Sequence, residues 1–309
     1  MSIDVAPAVD AASTQDRTII EALDRSSRTA TGHEALNEAV WIDLDDPQPG
    51  SAGFFASDGD RRIGYAHVAR LDNDASDTWT LGVAIDPSAP LDATATALID
   101  AAVKHVARSG GGTLVFWRFS PDEAEDSRIR ALGFTVAREL FQMRVPLPLA
   151  ETAEWPAGVA VRIFEPGRDD AEWLAVNNRA FAGHAEQGAW TQATLQRRLA
   201  EPWFDPSLFL LAVDEQGVVG FNWGKLHPPT DDDPELGEIF VIGVDDRGRG
   251  LGLGRPLAIA GLDLMARRGA TMGMLYSAAD NEPALRLYRS LGFTVYRVDR
   301  AYERTIEPK

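Results

Sequence analysis

Residues 241–254 read Val-Ile-Gly-Val-Asp-Asp-Arg-Gly-Arg-Gly-Leu-Gly-Leu-Gly. The pattern predicts the end of an apolar strand, a turn of the form Arg-x-x-Gly-x-Gly, and a helix over residues 254–267. Glycine permits positive φ and a close approach of the backbone, and the unpaired amides at a helix N-terminus attract anions. The stretch therefore predicts a pyrophosphate cradle, to which Arg249 and Arg255 add charge. A flexible glycine-rich turn is the alternative interpretation.

Two better-known phosphate loops do not fit this stretch. A Walker loop requires Gly-Lys-Ser/Thr, which does not follow here, and a Rossmann turn requires Gly-x-Gly-x-x-Gly spacing. The glycines here are Gly250, Gly252 and Gly254, which are spaced Gly-x-Gly-x-Gly.

The chain contains an internal repeat. Arg-Ala-Leu-Gly-Phe-Thr-Val at residues 130–136 recurs as Arg-Ser-Leu-Gly-Phe-Thr-Val at residues 289–295, and two strand-like segments recur in the same order. The matched glycine pairs, Gly133/Gly292, Gly64/Gly220 and Gly82/Gly243, give offsets of 159, 156 and 161 residues. Because order and spacing agree, we interpret the chain as two copies of one module. The predicted modules are residues 1–150 and 151–309, joined by a proline-rich linker near residues 146–158.

Each module is predicted to alternate strands and helices. In the second module the expected helices are 191–199, 254–267 and 283–291, and the expected strands are 208–213, 217–226, 237–244, 271–277 and 294–303. Strands 208–213 and 217–226 are joined by a short turn that is typical of hairpins. This order predicts an α/β fold of the α+β sandwich type, with one mixed, twisted sheet flanked by helices in each module.

Composition excludes several classes of protein. The 309 residues include 30 Lys and Arg against 47 Asp and Glu, a formal net charge of −17, which argues against a nucleic acid or an anionic membrane as partner. The chain has no cysteine, so disulfides, zinc-thiolate sites and a cysteine nucleophile are excluded. It has no apolar stretch of about 20 residues and no signal-peptide pattern. We predict a cytoplasmic monomer without a metal site.

The order of elements resembles the GNAT family, the Gcn5-related N-acetyltransferases. Two motifs show this resemblance. The first is the turn at residues 249–254, and the second runs from Asn281-Glu282-Pro283-Ala284 to Leu-Tyr-Arg-Ser-Leu-Gly-Phe at residues 287–293. In that family a bulge splays the central strand, so that the pantetheine arm of acetyl-CoA pairs with the strand backbone. The resemblance implies a set of acetyl-CoA-binding residues: Ile242, Gly243, Val244, Arg249, Gly250, Leu251, Gly252, Leu253, Gly254, Arg255, Asn281 and Arg286.

Acetyl transfer to an amine requires a neutral amine and a protonated leaving thiolate. With the family resemblance, Glu238 is assigned as the general base, acting through water, and Tyr288 as the proton donor to the thiolate. The alternatives are a paired strand carboxylate for Glu238 and a packing aromatic beside Phe293 for Tyr288.

The first module is predicted to lack the cradle. Aligned on the repeat, Arg249 is replaced by Pro90, Gly252 by Ala93 and Gly254 by Ala95. Proline has no amide hydrogen, and Asp92 adds a charge that repels phosphate. We therefore expect a degenerate N-terminal module that does not bind coenzyme A and supports a catalytic C-terminal module.

A narrower resemblance is to the family of mycothiol synthases, which are tandem GNAT enzymes of this length. It is carried by residues 177–191, 203–206, 220–225, 236–245 and 296–302. That family acetylates the cysteinyl amine of a cysteine-glucosamine-inositol precursor, and the resemblance implies acceptor contacts from Glu34, Glu186, Lys225, Glu238 and Tyr276. Surface ion pairs are the alternative for Glu186 and Lys225. Two other functions stay open: acetylation of another small amine, such as an aminoglycoside, polyamine or amino acid, and a non-enzymatic acyl-CoA sensor or scaffold.

Overall fold

The structure, a computed structural model, describes residues 3–7, 14–71, 77–182, 187–230 and 233–309. The chain forms two compact units. Unit 1 comprises Met1–Leu140 and Arg297–Lys309, and unit 2 comprises Phe141–Tyr296. None of the helices in the described residues combines the length and the apolar composition that a membrane span requires.

The elements are numbered in chain order. Those that begin in unit 1 are β1 (Asp4–Pro7), α1 (Thr14–Thr31), α2 (Glu38–Asp45), β2 (Ala52–Asp58), β3 (Arg61–Arg70), β4 (Thr78–Ile85), α3 (Leu91–Arg108), β5 (Gly112–Arg118), α4 (Glu123–Ala131) and β6 (Thr135–Pro146). Those that begin in unit 2 are β7 (Ala160–Ile163), α5 (Asp170–Ala180), α6 (Gln192–Leu199), β8 (Phe209–Asp214), β9 (Gly217–His227), β10 (Leu236–Val244), α7 (Gly254–Arg267), β11 (Met272–Ala278), α8 (Glu282–Ser290) and β12 (Thr294–Ile306).

The sheet of unit 1 has the strand order β1-β2-β3-β4-β5-β12. Strands β4 and β5 are parallel, and the other neighbours are antiparallel. Helices α3 and α4 cover one face, and α1 and α2 cover the other, so each face has its own apolar core. The alternation of side chains along the strands supplies both cores.

The sheet of unit 2 has the strand order β6-β11-β10-β9-β8-β7. Strands β10 and β11 are parallel, whereas β9 is antiparallel to both β10 and β8. One face packs against α7 and α8 through mainly aliphatic residues, and the other face packs against α5 and α6 through a cluster rich in aromatic residues. The predicted class, a mixed sheet flanked by helices, is confirmed.

Helix α7 lies close to the sheet because it has a glycine at the contact. Its apolar positions recur at helical spacing, and Leu257, Leu262 and Met265 are fully buried. A Cβ on Gly261 would lie 2.4 Å from Asn222 Nδ2, so no larger residue fits there without movement. Asn222 in turn donates a hydrogen bond of 2.9 Å to the Leu257 carbonyl. This contact fixes the helix that follows the glycine-rich turn.

The chain crosses between the units inside strands, not in the predicted linker. It enters unit 2 within β6, at Phe141, and returns to unit 1 within β12, at Arg297. Residues 141–146 belong to unit 2, where Met143 and Val145 are buried in its core. The boundary between the units therefore differs from the module boundary predicted near residue 150. An alternating apolar strand can complete either of two similar sheets, so its sequence pattern does not fix the boundary. The predicted roles of the modules, degenerate and catalytic, stay predictions.

Candidate active site

The central strand of unit 2 is irregular at its middle. Its register with β9 shifts between Ile239 and Val241, which is the mark of a β-bulge. Its parallel pairing with β11 runs from Leu236 to Ile239 and does not continue within residues 233–309. Beyond the bulge, the backbone groups of β10 therefore have no strand partner on that side among the described residues. The predicted pantetheine-binding residues, Ile242 to Val244, lie in this unpaired stretch.

The glycine-rich turn exposes a run of backbone amides. A short 3₁₀ turn at Asp246–Gly248 follows β10, and α7 begins at Gly254. Gly250 and Gly252 have φ of +84° and +74°, values that L-residues rarely adopt. No described residue accepts a backbone hydrogen bond from the amides of five residues, Gly250, Gly252, Leu253, Gly254 and Arg255. Amides at the N-terminus of a 14-residue helix suit a pyrophosphate.

A buried carboxylate fixes the start of this turn. Asp245 is only 1% exposed, and it accepts a hydrogen bond of 3.0 Å from the Arg247 amide. Its other oxygen accepts one of 2.9 Å from Arg179 Nε, on α5. Burial alone would raise the pKa of Asp245, but the hydrogen bonds from Arg247 and Arg179 outweigh it and the pKa is lowered. The carboxylate therefore stays ionised and ties the cradle to α5, a role that the sequence analysis missed.

The arginines near the cradle already have acidic partners. Arg249 Nη2 lies 2.9 Å from Asp246 Oδ1, and both side chains are well exposed. Arg255 Nη2 lies 2.5 Å from Glu151 Oε2. The predicted cradle therefore offers backbone amides more than unpaired cations.

The two residues of α8 and its N-cap that are predicted to bind acetyl-CoA both contact other residues of the same helix. Asn281 caps α8 by accepting a hydrogen bond from the Ala284 amide at 3.3 Å. Arg286 lies 3.9 Å from Glu282, a loose pair on the surface of the helix. Their predicted contacts with acetyl-CoA stay predictions.

Glu238 lies on β10 immediately before the bulge. It is 8% exposed, and its Oε2 lies 2.6 Å from His227 Nε2 on β9. Lys225 is the cross-strand partner of Glu238, but its Nζ lies over the Trp203 ring, 4.5 Å from the centroid. Directly opposite side chains share a face of the sheet, so this face carries both the predicted base and a predicted acceptor contact.

Tyr276 continues the same face on β11. It is 39% exposed, and its hydroxyl accepts a hydrogen bond of 2.8 Å from the buried Gln142. Arg144 Nε donates to Gln142 Oε1 at 3.0 Å and binds Asp233 through two further hydrogen bonds. The guanidinium also stacks 3.5 Å from the centroid of Tyr296. This chain of contacts holds the hydroxyl of Tyr276, and the sequence analysis did not identify it because its members come from distant segments.

Tyr288 lies on the inner side of α8. It is 6% exposed, and its ring packs edge-on against Phe293 with centroids 5.8 Å apart. Burial raises the pKa of Tyr288 to about 12, so the hydroxyl keeps its proton near neutral pH. The packing contact of the alternative interpretation is thus present, and the role as proton donor stays a prediction.

For two predicted acceptor contacts, the described residues of unit 2 give no position. Glu186 falls outside the described residues. Glu34 belongs to unit 1, where it is exposed and its Oε1 lies 3.3 Å from Arg28 Nη1. Both assignments stay predictions.

Curated relatives match along nearly the whole chain. A mycothiol acetyltransferase from Kocuria rhizophila is 38% identical over 288 residues, which cover 91% of this chain and 93% of the relative. A mycothiol acetyltransferase from Thermobispora bispora is 40% identical over 292 residues, covering 94% and 96%. The chain belongs to the mycothiol acetyltransferase family. The predicted resemblance to mycothiol synthases is therefore confirmed.

Two further comparisons agree with this membership of the mycothiol acetyltransferase family. The acetyltransferase (GNAT) family model matches residues 172–293, which include the bulge, the cradle and α8. A tandem GNAT protein from the clavulanic acid biosynthesis pathway aligns with a TM-score of 0.74, 18% identity and complete coverage of both chains. At this identity the likeness shows the fold alone, and the predicted tandem GNAT fold is confirmed.

Within the described residues of this mycothiol acetyltransferase family member, the corresponding turn of unit 1 is built differently from the glycine-rich turn of unit 2. Strand β4 ends at Ile85 and α3 begins at Leu91, so the turn is shorter than that between β10 and α7. Pro90 caps α3, and Ala93 and Ala95 lie inside the helix. The predicted alignment of these three residues with Arg249, Gly252 and Gly254 is therefore wrong, because the repeat carries a deletion in this turn.

We expect the substitution Gly252→Ala to weaken binding of coenzyme A about 5- to 30-fold. A left-handed conformation costs an L-residue about 1–2 kcal/mol, and a turn that relaxes to avoid this cost no longer aims its amides at the phosphates. Isothermal titration calorimetry measures the change. Gly167 has φ +82° and, like Gly252, nothing within 4 Å of an added Cβ, so Gly167→Ala is the matched control. Equal losses in both variants would contradict the assignment.

Proposed function

We propose that the chain transfers the acetyl group of acetyl-CoA to the cysteinyl amine of desacetylmycothiol, the cysteine-glucosamine-inositol precursor, and so forms mycothiol. The observation that carries the proposal is the layout of β10. Glu238 precedes the bulge, the unpaired strand edge follows it, and the amides of the cradle come directly after the strand. This arrangement suits a thioester whose phosphates are held at one end and whose carbonyl meets an amine at the other. Membership of the mycothiol acetyltransferase family supports the choice of acceptor.

Glu238 on β10 and Tyr288 on α8 suit the two proton transfers of the reaction. Acetyl-CoA supplies the acetyl group as a thioester; the amine nitrogen forms the new bond to its carbonyl carbon, and the bond from carbon to sulfur breaks. Glu238 takes the proton that the amine loses, through a water molecule, and Tyr288 gives a proton to the departing sulfur. An α-amino group has an ordinary pKa of about 7.7–8.0, so a carboxylate is a sufficient base.

The face around Glu238 also suits a sugar-like acceptor. A pseudodisaccharide offers many hydroxyl groups, which accept from ammonium groups and donate to carboxylates. Lys225 and the fixed hydroxyl of Tyr276 supply such partners beside the predicted base. Glu186 is proposed to add a carboxylate to the same acceptor, and the acceptor contact of Glu34 stays a prediction.

The test is turnover with purified protein. With acetyl-CoA and desacetylmycothiol, we expect release of free coenzyme A and formation of an acetylated product with the mass of mycothiol. An aminoglycoside, a polyamine and a free amino acid serve as competing acceptors. Turnover on one of these and none on desacetylmycothiol would overturn the acceptor, and coenzyme A binding without turnover on any amine would favour a sensor.

We expect one coenzyme A molecule to bind per chain. The turn before α3 has no positive-φ glycine, its N-cap residue Pro90 lacks an amide hydrogen, and Asp92 in the first turn of α3 carries a charge that repels phosphate. Calorimetric titration of the full chain gives the stoichiometry. Two sites per chain would contradict the predicted degeneracy of the first module.

A further inference from the structure

His227 ends strand β9 beside the predicted base. Its Nε2 lies 2.6 Å from Glu238 Oε2, and the two side chains are 32% and 11% exposed. Neither the glycine-rich turn nor the family resemblance assigned it a role. The contact joins two adjacent strands, directly before the bulge at which β10 separates from β11.

We propose that His227 is a positioning residue that holds the Glu238 carboxylate for proton abstraction, an inference that rests on the proposed function. A carboxylate can rotate and can present either oxygen. The imidazole binds Oε2, and no described residue donates a hydrogen bond to Oε1. The free oxygen is therefore the one that meets the amine or its bridging water.

The surroundings leave His227 as the main restraint on Glu238. Lys225 is the obvious alternative partner, since it lies directly opposite on β9. Its ammonium instead lies 4.5 Å from the Trp203 centroid and 5.8 Å from that of Phe240, and it forms no ion pair with Glu238 in the described residues. Removing His227 would thus leave a mostly buried carboxylate without its hydrogen-bond donor, which is costly for a charged group.

The hydrogen bond from His227 is compatible with both states of the base. When Nε2 carries the proton, it donates to Oε2, whether the imidazole is neutral or charged. A proton that arrives on Oε1 does not require this bond to break. The imidazole therefore holds the carboxyl group in one orientation before and after the proton transfer. A general base needs such a fixed orientation to stay within reach of the proton that it accepts.

The test compares three substitutions of His227. His227→Leu removes the donor, His227→Gln keeps a donor of similar reach, and His227→Asn keeps a polar group that is too short to reach Oε2. We expect His227→Leu to lower kcat about 10- to 100-fold, the loss of one hydrogen bond to a charged group, with the KM for acetyl-CoA unchanged. His227→Gln should retain most of kcat, and His227→Asn should behave like His227→Leu. Thermal unfolding of each variant checks the fold.

A double substitution separates this inference from the proposed function. If His227 acts through Glu238, His227→Leu has little further effect on kcat in a Glu238→Gln background. Additive losses, a wild-type kcat in His227→Leu, or equal losses in His227→Gln and His227→Leu would each overturn the positioning role. A wild-type rate in Glu238→Gln alone would instead overturn the proposed mechanism.

Discussion

The Glu238→Gln variant is expected to lose about 10²- to 10⁴-fold in kcat, the usual contribution of a positioned acid or base. The amide has nearly the shape of the carboxylate and can still contact His227, but it cannot accept the proton that the amine loses. The KM for acetyl-CoA should change little, because the cradle amides and the open strand edge lie beyond the bulge. Steady-state release of coenzyme A gives both constants.

Glu235 provides the matched control for this substitution. It lies just before β10 and its carboxylate is near Gly269, at the far end of α7 from the cradle. Glu235→Gln removes the same charge and should leave kcat unchanged. If the two variants had the same rate, Glu238 would have no special role as a base.

The Tyr288→Phe variant is expected to lose about 10²- to 10⁴-fold in kcat as well. Phenylalanine keeps the ring that packs against Phe293, so the variant should fold, but it has no hydroxyl proton for the departing sulfur. Tyr296→Phe is the matched control, since Tyr296 is 55% exposed and phenylalanine keeps its stacking on Arg144. A wild-type kcat in Tyr288→Phe would leave the residue a packing aromatic.

The pH dependence gives a second measurement on Tyr288. Because burial raises its pKa to about 12, the hydroxyl loses its proton, and its ability to donate, only as pH rises toward that value. The kcat of the native protein should therefore stay level on the alkaline side up to about pH 10. A descending limb below this pH that disappears in Tyr288→Phe would show that Tyr288 is the titrating donor but that its pKa is not raised, whereas a limb that persists in the variant would belong to another group.

Much of unit 2 could be predicted from local patterns. The predicted helix 254–267 is confirmed, and the strands and helices from residue 208 to the C-terminal strand lie within a few residues of their expected bounds. Apolar periodicity, short turns and closely spaced glycines are local signals, and they also indicated the glycine-rich turn, whose binding of pyrophosphate stays a prediction. The turn of unit 1 was misaligned because similarity between repeats does not reveal where residues have been deleted.

The contacts that could not be predicted from the sequence join distant parts of the chain. Arg179 and Asp245 are 66 residues apart, and Gln142 and Tyr276 are 134 apart. Each pair depends on strand neighbours and on helix packing that composition and periodicity do not specify. His227 is closer to Glu238 in sequence, but the contact requires the register of β9 against β10, which a two-residue shift would destroy.

The return of the C-terminal strand to the first unit has a consequence for synthesis of the chain. Residues Arg300 to Ile306 pair with Gly112 to Arg118, so β5 keeps an unfilled edge until residues 300–306 have left the ribosome. Exposed edges recruit other chains, and contacts this distant in sequence form slowly. We therefore expect the nascent first unit to stay incomplete, with a strand edge open to other chains, until residues 300–306 have been synthesised.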